Sequence, residues 1–170
     1  MGKTKSKNAK PNLQKFADWG DRLRRAYDKA SRRKARAGST IPRKEPMNAF
    51  RFAAYQYYDD LRSNGLLGDL RTYVEERDGA RWSGYDDHCV RWVIRLAREG
   101  GGEKPAHDSD TAYKWRRRDS RIAAELKLAA INKVKPGLLI GFLYEAGKTT
   151  KIESDARNGK RYRWAKAYQR

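Results

Sequence analysis

Residues 89–98, Cys-Val-Arg-Trp-Val-Ile-Arg-Leu-Ala-Arg, decide the fold class. Cys89, Trp92, Val93, Leu96 and Ala97 recur at three- and four-residue intervals, which gathers them on one stripe of a helix instead of alternating them across a strand. A helix over about Asp86–Arg98 follows, stopped by Gly100-Gly101-Gly102, with loop at Pro105–Asp110. Two more helices precede it. One spans about Asn48–Leu61 and ends near Asn64-Gly65; the next covers about Gly68–Ala80 with Leu70, Tyr73 and Val74 inward.

Outside this centre the pattern changes twice. Toward the N-terminus, Leu13, Phe16, Leu23 and Tyr27 recur at helical spacing after Asn12 as cap, with a break or cap at Gly20-Asp21. Residues 1–11 read as a disordered basic arm, and the basic run 31–40 loses apolar periodicity. Toward the C-terminus, a fourth helix over about Thr111–Lys133 begins basic and continues into the strong helix formers 122–131. Pro136-Gly137 then marks a change of period. Leu138–Tyr144 reads as a buried strand, about Thr149–Glu153 as a second and Arg161–Trp164 as a third, with Asn158-Gly159 as the hairpin turn. The expected fold is therefore mainly α: a three- to four-helix core, a small C-terminal antiparallel β hairpin or meander, and basic terminal arms. Three segments result: a basic N-terminal arm with a short helix (1–44), a helical core (45–110), and a basic helix followed by the β meander (111–170).

The charge follows the same division. Residues 1–44 carry 15 Lys and Arg against 3 acids, residues 45–110 carry 9 against 13, and residues 111–170 carry 16 against 5. Nearly all of the net +19 thus lies on two arms around a mildly acidic middle. A polycation of this form takes a polyanion, and nucleic acid is the commonest. With 38% hydrophobic residues, mean hydropathy −1.05 and 11% aromatics, the chain has a modest core but is too aromatic to be disordered. The longest apolar run, 137–144, is too short to span a bilayer, and the basic N-terminus is no secretory signal. The single Cys89 excludes an internal disulfide and suits a reducing compartment: nucleus, nucleoid or virion interior.

The candidate nucleic-acid contacts are the basic residues of the arms: Lys3, Lys5, Lys7, Lys10, Arg32, Arg33, Lys34, Arg36, Arg43 and Lys44 on one side, and Lys114, Arg116, Arg117, Arg118, Lys160, Arg161 and Arg163 on the other. Tyr162 and Trp164 interleave with the last arginines. In a strand they share the face opposite Arg161 and Arg163, so they either pack inward or stand exposed to stack unpaired bases. Under both readings the arginines face solvent and remain available to phosphate.

Arg43-Lys-Glu-Pro-Met-Asn-Ala-Phe50 resembles the opening of an HMG box, the L-shaped three-helix module that bends DNA from the minor groove. Val74, Gly79, Trp82, Tyr85 and Ala97 fall close to that family's later positions, and Tyr113–Arg118 resembles the basic tail after the box. The resemblance covers 43–118. It implies that Asn48 contacts base edges and that Phe50, with Arg51 at the next position, forms the wedge that unstacks a base step. The acidic middle equally suits an ordinary helical core whose aromatics pack and whose acids face other protein subunits.

Catalytic readings have less to build on. Asp59, Asp60, Glu75, Glu76, Asp78, Asp86 and Asp87 could supply carboxylates for Mg²⁺ in a nuclease, but nothing fixes which of them converge. His88-Cys89 lacks the three or four ligands of a metal site, since only the distant His107 remains; Cys89 is expected in the core and His88 on the surface. Gly147-Lys148-Thr149 lacks the glycine spacing of a phosphate-binding loop and reads as a hairpin turn with no helix following. The expected protein is not an enzyme and needs no cofactor. It binds nucleic acid, DNA ahead of RNA, mainly through phosphate contacts, as part of a nucleoprotein assembly such as a packaged genome, a nucleoid or a ribosome-like particle. Its acidic helical middle would meet other subunits, and no membrane is involved.

Overall fold

Phe16, Gly20, Leu23, Tyr27 and Ala30 are all buried, a spacing of three and four residues that keeps one helix turning through the expected break at Gly20. A mid-helix glycine costs about 1 kcal/mol. Here it lies within the apolar stripe, and the burial of its neighbours outweighs that cost. The computed structural model describes residues 13–32, 45–78, 88–99 and 117–169; the Asn12 cap, the glycine run 100–102 and the loop 105–110 lie outside them. Helix α1 (Leu13–Arg32) is followed by α2 (Asn48–Ser63), α3 (Leu67–Asp78), α4 (Cys89–Glu99) and α5 (Arg117–Ile131).

The stripe of α1 lies on α4 and α2, and α4 in turn packs on α2, α3 and α5. Helix α4 supplies Val90, Trp92, Val93, Ile94, Leu96 and Ala97 to the core, so its buried face is wider than the single stripe expected. Cys89 itself is half-buried against that core. Buried residues from helices of all three charge segments belong to one connected cluster.

The C-terminal meander is not what forms. Among the described residues there is no strand; the chain instead makes a 3₁₀ turn (Pro136–Leu138), α6 (Leu139–Ala146), α7 (Thr149–Arg157) and a second 3₁₀ turn (Trp164–Tyr168). A short apolar run is ambiguous between strand and helix. Within it Leu139 and Phe142 are buried, with Ala146 beyond it at the next helical interval, while Leu138 and Tyr144 remain exposed. Ile152, Asp155 and Ala156 do the same for α7, which packs along α5.

The supposed hairpin turn is a helix end. Gly159 has φ +64, and the amide of Lys160 donates to the carbonyl of Asp155 at 2.9 Å, the six-to-one bond of a left-handed helix cap. Both a hairpin turn and this cap need a residue of positive φ, so Asn-Gly suits either. Gly65 ends α2 in the same way, with Leu66 donating to Leu61. At the end of α5 that position is held by Lys133 (φ 55), with Val134 donating to Ala129. A lysine in the left-handed region costs about 1–2 kcal/mol, partly offset on replacement by the freedom glycine adds to the unfolded chain. Lys133→Gly should therefore raise stability by up to about 1 kcal/mol and Gly159→Ala should lower it by about as much, read from urea midpoints at unchanged slope. A destabilised Lys133→Gly would show that the lysine side chain does more than occupy a cap.

Candidate nucleic-acid interface

Opposite the apolar stripe of α1, Arg22, Arg25, Lys29 and Arg32 are exposed at intervals of three and four residues. They form one ridge about 15 Å long at the helical rise per residue. Arg25, Lys29 and Arg32 have no ion pair among the described residues, and Arg22 lies over the Trp19 ring at 5.6 Å. Lys15 extends the line one step further, beyond Asp18, which takes a hydrogen bond from Gln14. Asp21 and Asp28 lie to one side of the ridge in helical register.

The first turn of α5 meets this ridge at its C-terminal end. The guanidinium of Arg118 donates to the Ser31 hydroxyl at 3.4 Å, and both Arg117 and Arg118 are exposed. The joint is made by the next residue. Asp119 is wholly buried; its Oδ1 accepts the Tyr27 hydroxyl of α1 at 2.9 Å, and its Oδ2 lies 3.2 Å from Arg98 Nε of α4. The Arg98 guanidinium also covers the Tyr27 ring at 4.5 Å. Burial first, and the Asp119 carboxylate second, push the Tyr27 hydroxyl above its ordinary pKa, so it stays a donor.

Arg32, Arg117 and Arg118 are thus brought together, whereas Lys3, Lys5, Lys7, Lys10, Arg33, Lys34, Arg36, Arg43, Lys44, Lys114 and Arg116 lie outside the described residues. Lys160, Arg161 and Arg163 are exposed at the far end of the chain, not on this ridge's helices. Arg22, Arg25 and Lys29 were not among the sequence candidates, although their spacing opposite the apolar stripe is a readable signal. Asp119 carried no signal at all, because its partners come from distant segments.

The C-terminal segment is held by Asn132, itself buried. Its amide donates to the carbonyls of Leu128 and Lys160 at 2.9 and 3.0 Å, and its Oδ1 accepts the Tyr162 amide at 2.7 Å. Tyr162 donates to Asp155 through its hydroxyl, which also accepts from Lys151 at 3.1 Å. Burial alone would raise the Asp155 carboxyl, but the Tyr162 hydroxyl with Lys160 and Lys151 outweighs it and holds the group below the ordinary range. Tyr162 stacks on Trp164 with centroids 4.6 Å apart.

Of the residues singled out by the HMG-box resemblance, Phe50 and Arg51 are buried and Asn48 is half-buried, while Gly79, Trp82 and Tyr85 lie outside the described residues. Phe50 is 0% exposed, edge-on to Tyr27 at 5.0 Å, so reaching a base step would require it to leave the core. Arg51 is buried too. It donates to both Glu125 oxygens, at 2.6 and 3.2 Å, and to Asn48 Oδ1 at 3.1 Å, with Glu45 at 3.0 Å. Burial works against the Arg51 charge, yet Glu125 and Glu45 outweigh it and raise its pKa. A cleft of about 350 Å³ opens beside this pair, bordered by Tyr144, Lys148 and Thr149. A helix does follow Gly147-Lys148-Thr149, contrary to the hairpin expected there, though the phosphate-loop glycine spacing is still missing.

Of the acids read as possible metal ligands, Asp59 pairs with Arg62 and Glu75 with Arg71, while Asp60 and Glu76 are exposed. Among the described residues no three His, Cys, Asp or Glu side chains come together as a metal site. Asp86, Asp87 and His107 lie outside those residues. His88 is half-buried, its Nδ1 accepting the Val90 amide at 3.3 Å. No described helix is long and apolar enough to cross a membrane.

Compared with known protein families, with characterised proteins and with solved structures, the chain finds no significant match. The buried Arg51–Glu125 pair ties α2 to α5. Removing one partner strands a buried charge, at about 3–5 kcal/mol, while replacing both with apolar residues is often neutral. Arg51→Met and Glu125→Leu should each destabilise strongly in chemical unfolding, and the double variant should be more stable than either single one. Additive losses in that double-mutant cycle would contradict the pairing.

Proposed function

We propose that this protein binds nucleic acid without catalysing a reaction on it, acting mainly through phosphate contacts as a component of a nucleoprotein assembly. The observation that carries this reading is the ridge of Arg22, Arg25, Lys29 and Arg32, continued by Arg117 and Arg118. None of the four ridge residues on α1 has an ion pair among the described residues, so no protein carboxylate competes with phosphate for their charge. Being on a packed helix, they are fixed before binding, so phosphate contacts form with little ordering cost beyond the side chains. The ridge joins the two basic segments in sequence: the chain runs on from Arg32 into Arg33, Lys34 and Arg36, and into Arg117 from Lys114 and Arg116. Such contacts position a duplex without reading its bases. The more acidic helices behind the ridge suit contacts with other protein subunits.

Counterion release makes the test quantitative. Each phosphate neutralised on duplex DNA adds about −0.9 to the slope of log affinity against log salt. Changing Arg22, Arg25, Lys29 and Arg32 together to Gln should flatten that slope by about 3.6 and weaken binding at low salt, with the unfolding midpoint nearly unchanged because the four side chains are exposed. An unaltered slope and affinity would overturn the ridge as the binding surface.

A further inference from the structure

The chain's last turn carries a second basic surface of different chemistry. Trp164 is 38% exposed, while the rings around it are tucked away: Phe142 is fully buried, and Tyr162 and Tyr168 are half-buried. Tyr162 lies against the indole, 4.6 Å between centroids and 17° between planes, and Phe142 and Tyr168 approach at 5.4 and 5.9 Å at steeper angles. Tyr162 is itself flanked by the Lys151 and Lys160 ammonium groups, 4.9 and 5.6 Å from its ring centre. The platform is rigid from below. Asn132 pins the Tyr162 amide, the Lys135 amide donates to the Tyr168 carbonyl at 2.8 Å, and the Tyr168 ring lies so close to Gly141 that a Cβ there would sit 3.3 Å from it.

Around this ring Lys133, Lys135, Arg161, Arg163 and Lys166 are exposed and have no ion pair among the described residues. An exposed indole held in place on a second ring, among unpaired cations, has the two elements that bind a single strand: a π surface for a base and charge for the flanking phosphates. A protein partner would need acids to match those cations; a nucleic acid supplies them at every nucleotide. A base paired within a duplex presents no free face to the indole.

Building on the nucleic-acid reading above, we propose that Trp164 stacks an unpaired base, so that the C-terminal surface selects single-stranded or unpaired segments while the α1 ridge takes any phosphate backbone. The stack on Tyr162 fixes the ring plane, and Lys135, Arg161 and Arg163 hold the neighbouring phosphates.

The test compares the full chain's affinity for a 20-nucleotide oligothymidine and for a duplex of equal phosphate count, in wild type, Trp164→Leu and Trp164→Phe. Leucine keeps apolar packing against Phe142 but has no π face; phenylalanine restores one. One stacked base is worth about tenfold. Trp164→Leu should lose about that factor for the oligothymidine and almost nothing for the duplex, and Trp164→Phe should recover most of it. An unchanged ratio of the two affinities in Trp164→Leu, or an equal loss on both ligands, would overturn the base-stacking role while leaving the ridge standing. Wild-type protein that binds neither ligand would overturn both readings.

Discussion

A carboxylate with no exposure to solvent, Asp119, fixes how the first, fourth and fifth helices meet. Burying such a charge is costly unless its lone pairs are filled. Here the Tyr27 hydroxyl donates to one oxygen and the Arg98 guanidinium lies against the other as its counter-charge, and they come from two other helices. One residue in the first turn of α5 thereby ties α1, α4 and α5 into a single arrangement. Its position also sets the chemistry outside: Arg117 and Arg118, just before it, must emerge beside the last turn of α1. Two segments 85 positions apart along the chain (Arg32 to Arg117) deliver their charge to one place.

That arrangement turns a compositional fact into a geometric one. A net charge of +19 spread evenly would give a soluble surface with diffuse attraction for any polyanion. Helix α1 instead separates its residues by angle, with Phe16, Leu23 and Tyr27 turned to the core and Arg22, Arg25, Lys29 and Arg32 away from it. The acids of the middle are drawn into pairs such as Asp59–Arg62 and Glu75–Arg71, so much of the central charge is spent locally. The uncompensated cations are left at the α1–α5 corner and around Trp164. The first is a line of point charges, the second mixes charge with aromatic surface, and this difference is why they are assigned different ligands.

The helices of the centre were readable from periodicity because each buries one face against several neighbours, as Trp92, Val93, Leu96 and Ala97 show. The C-terminal third was not. Leu138–Tyr144 is apolar throughout, so its period carries no information, and positive-φ glycine serves a hairpin and a helix cap alike at Asn158-Gly159. Gly20 suggested a break because propensity is local, whereas the stripe it completes is not. The basic arms were legible as composition and the α1 ridge in its spacing opposite the apolar stripe, but its junction with α5, and Asp119 and Asn132, needed the tertiary structure, since neither residue has its decisive partners nearby in sequence. Asn48 and Phe50 illustrate the converse. Their motif implied contacts with DNA; the fold packs Phe50 in the core against Tyr27 and leaves Asn48 half-buried, as acceptor for the buried Arg51.

The most direct measurement is an amine-acylation footprint of the full chain, read residue by residue with and without duplex DNA. Duplex should slow acylation of Lys29 on the ridge, with little change at Lys133 and Lys135 near Trp164 until unpaired nucleotides are supplied. Saturating duplex that leaves Lys29 as reactive as in the free protein would contradict the ridge as the binding surface.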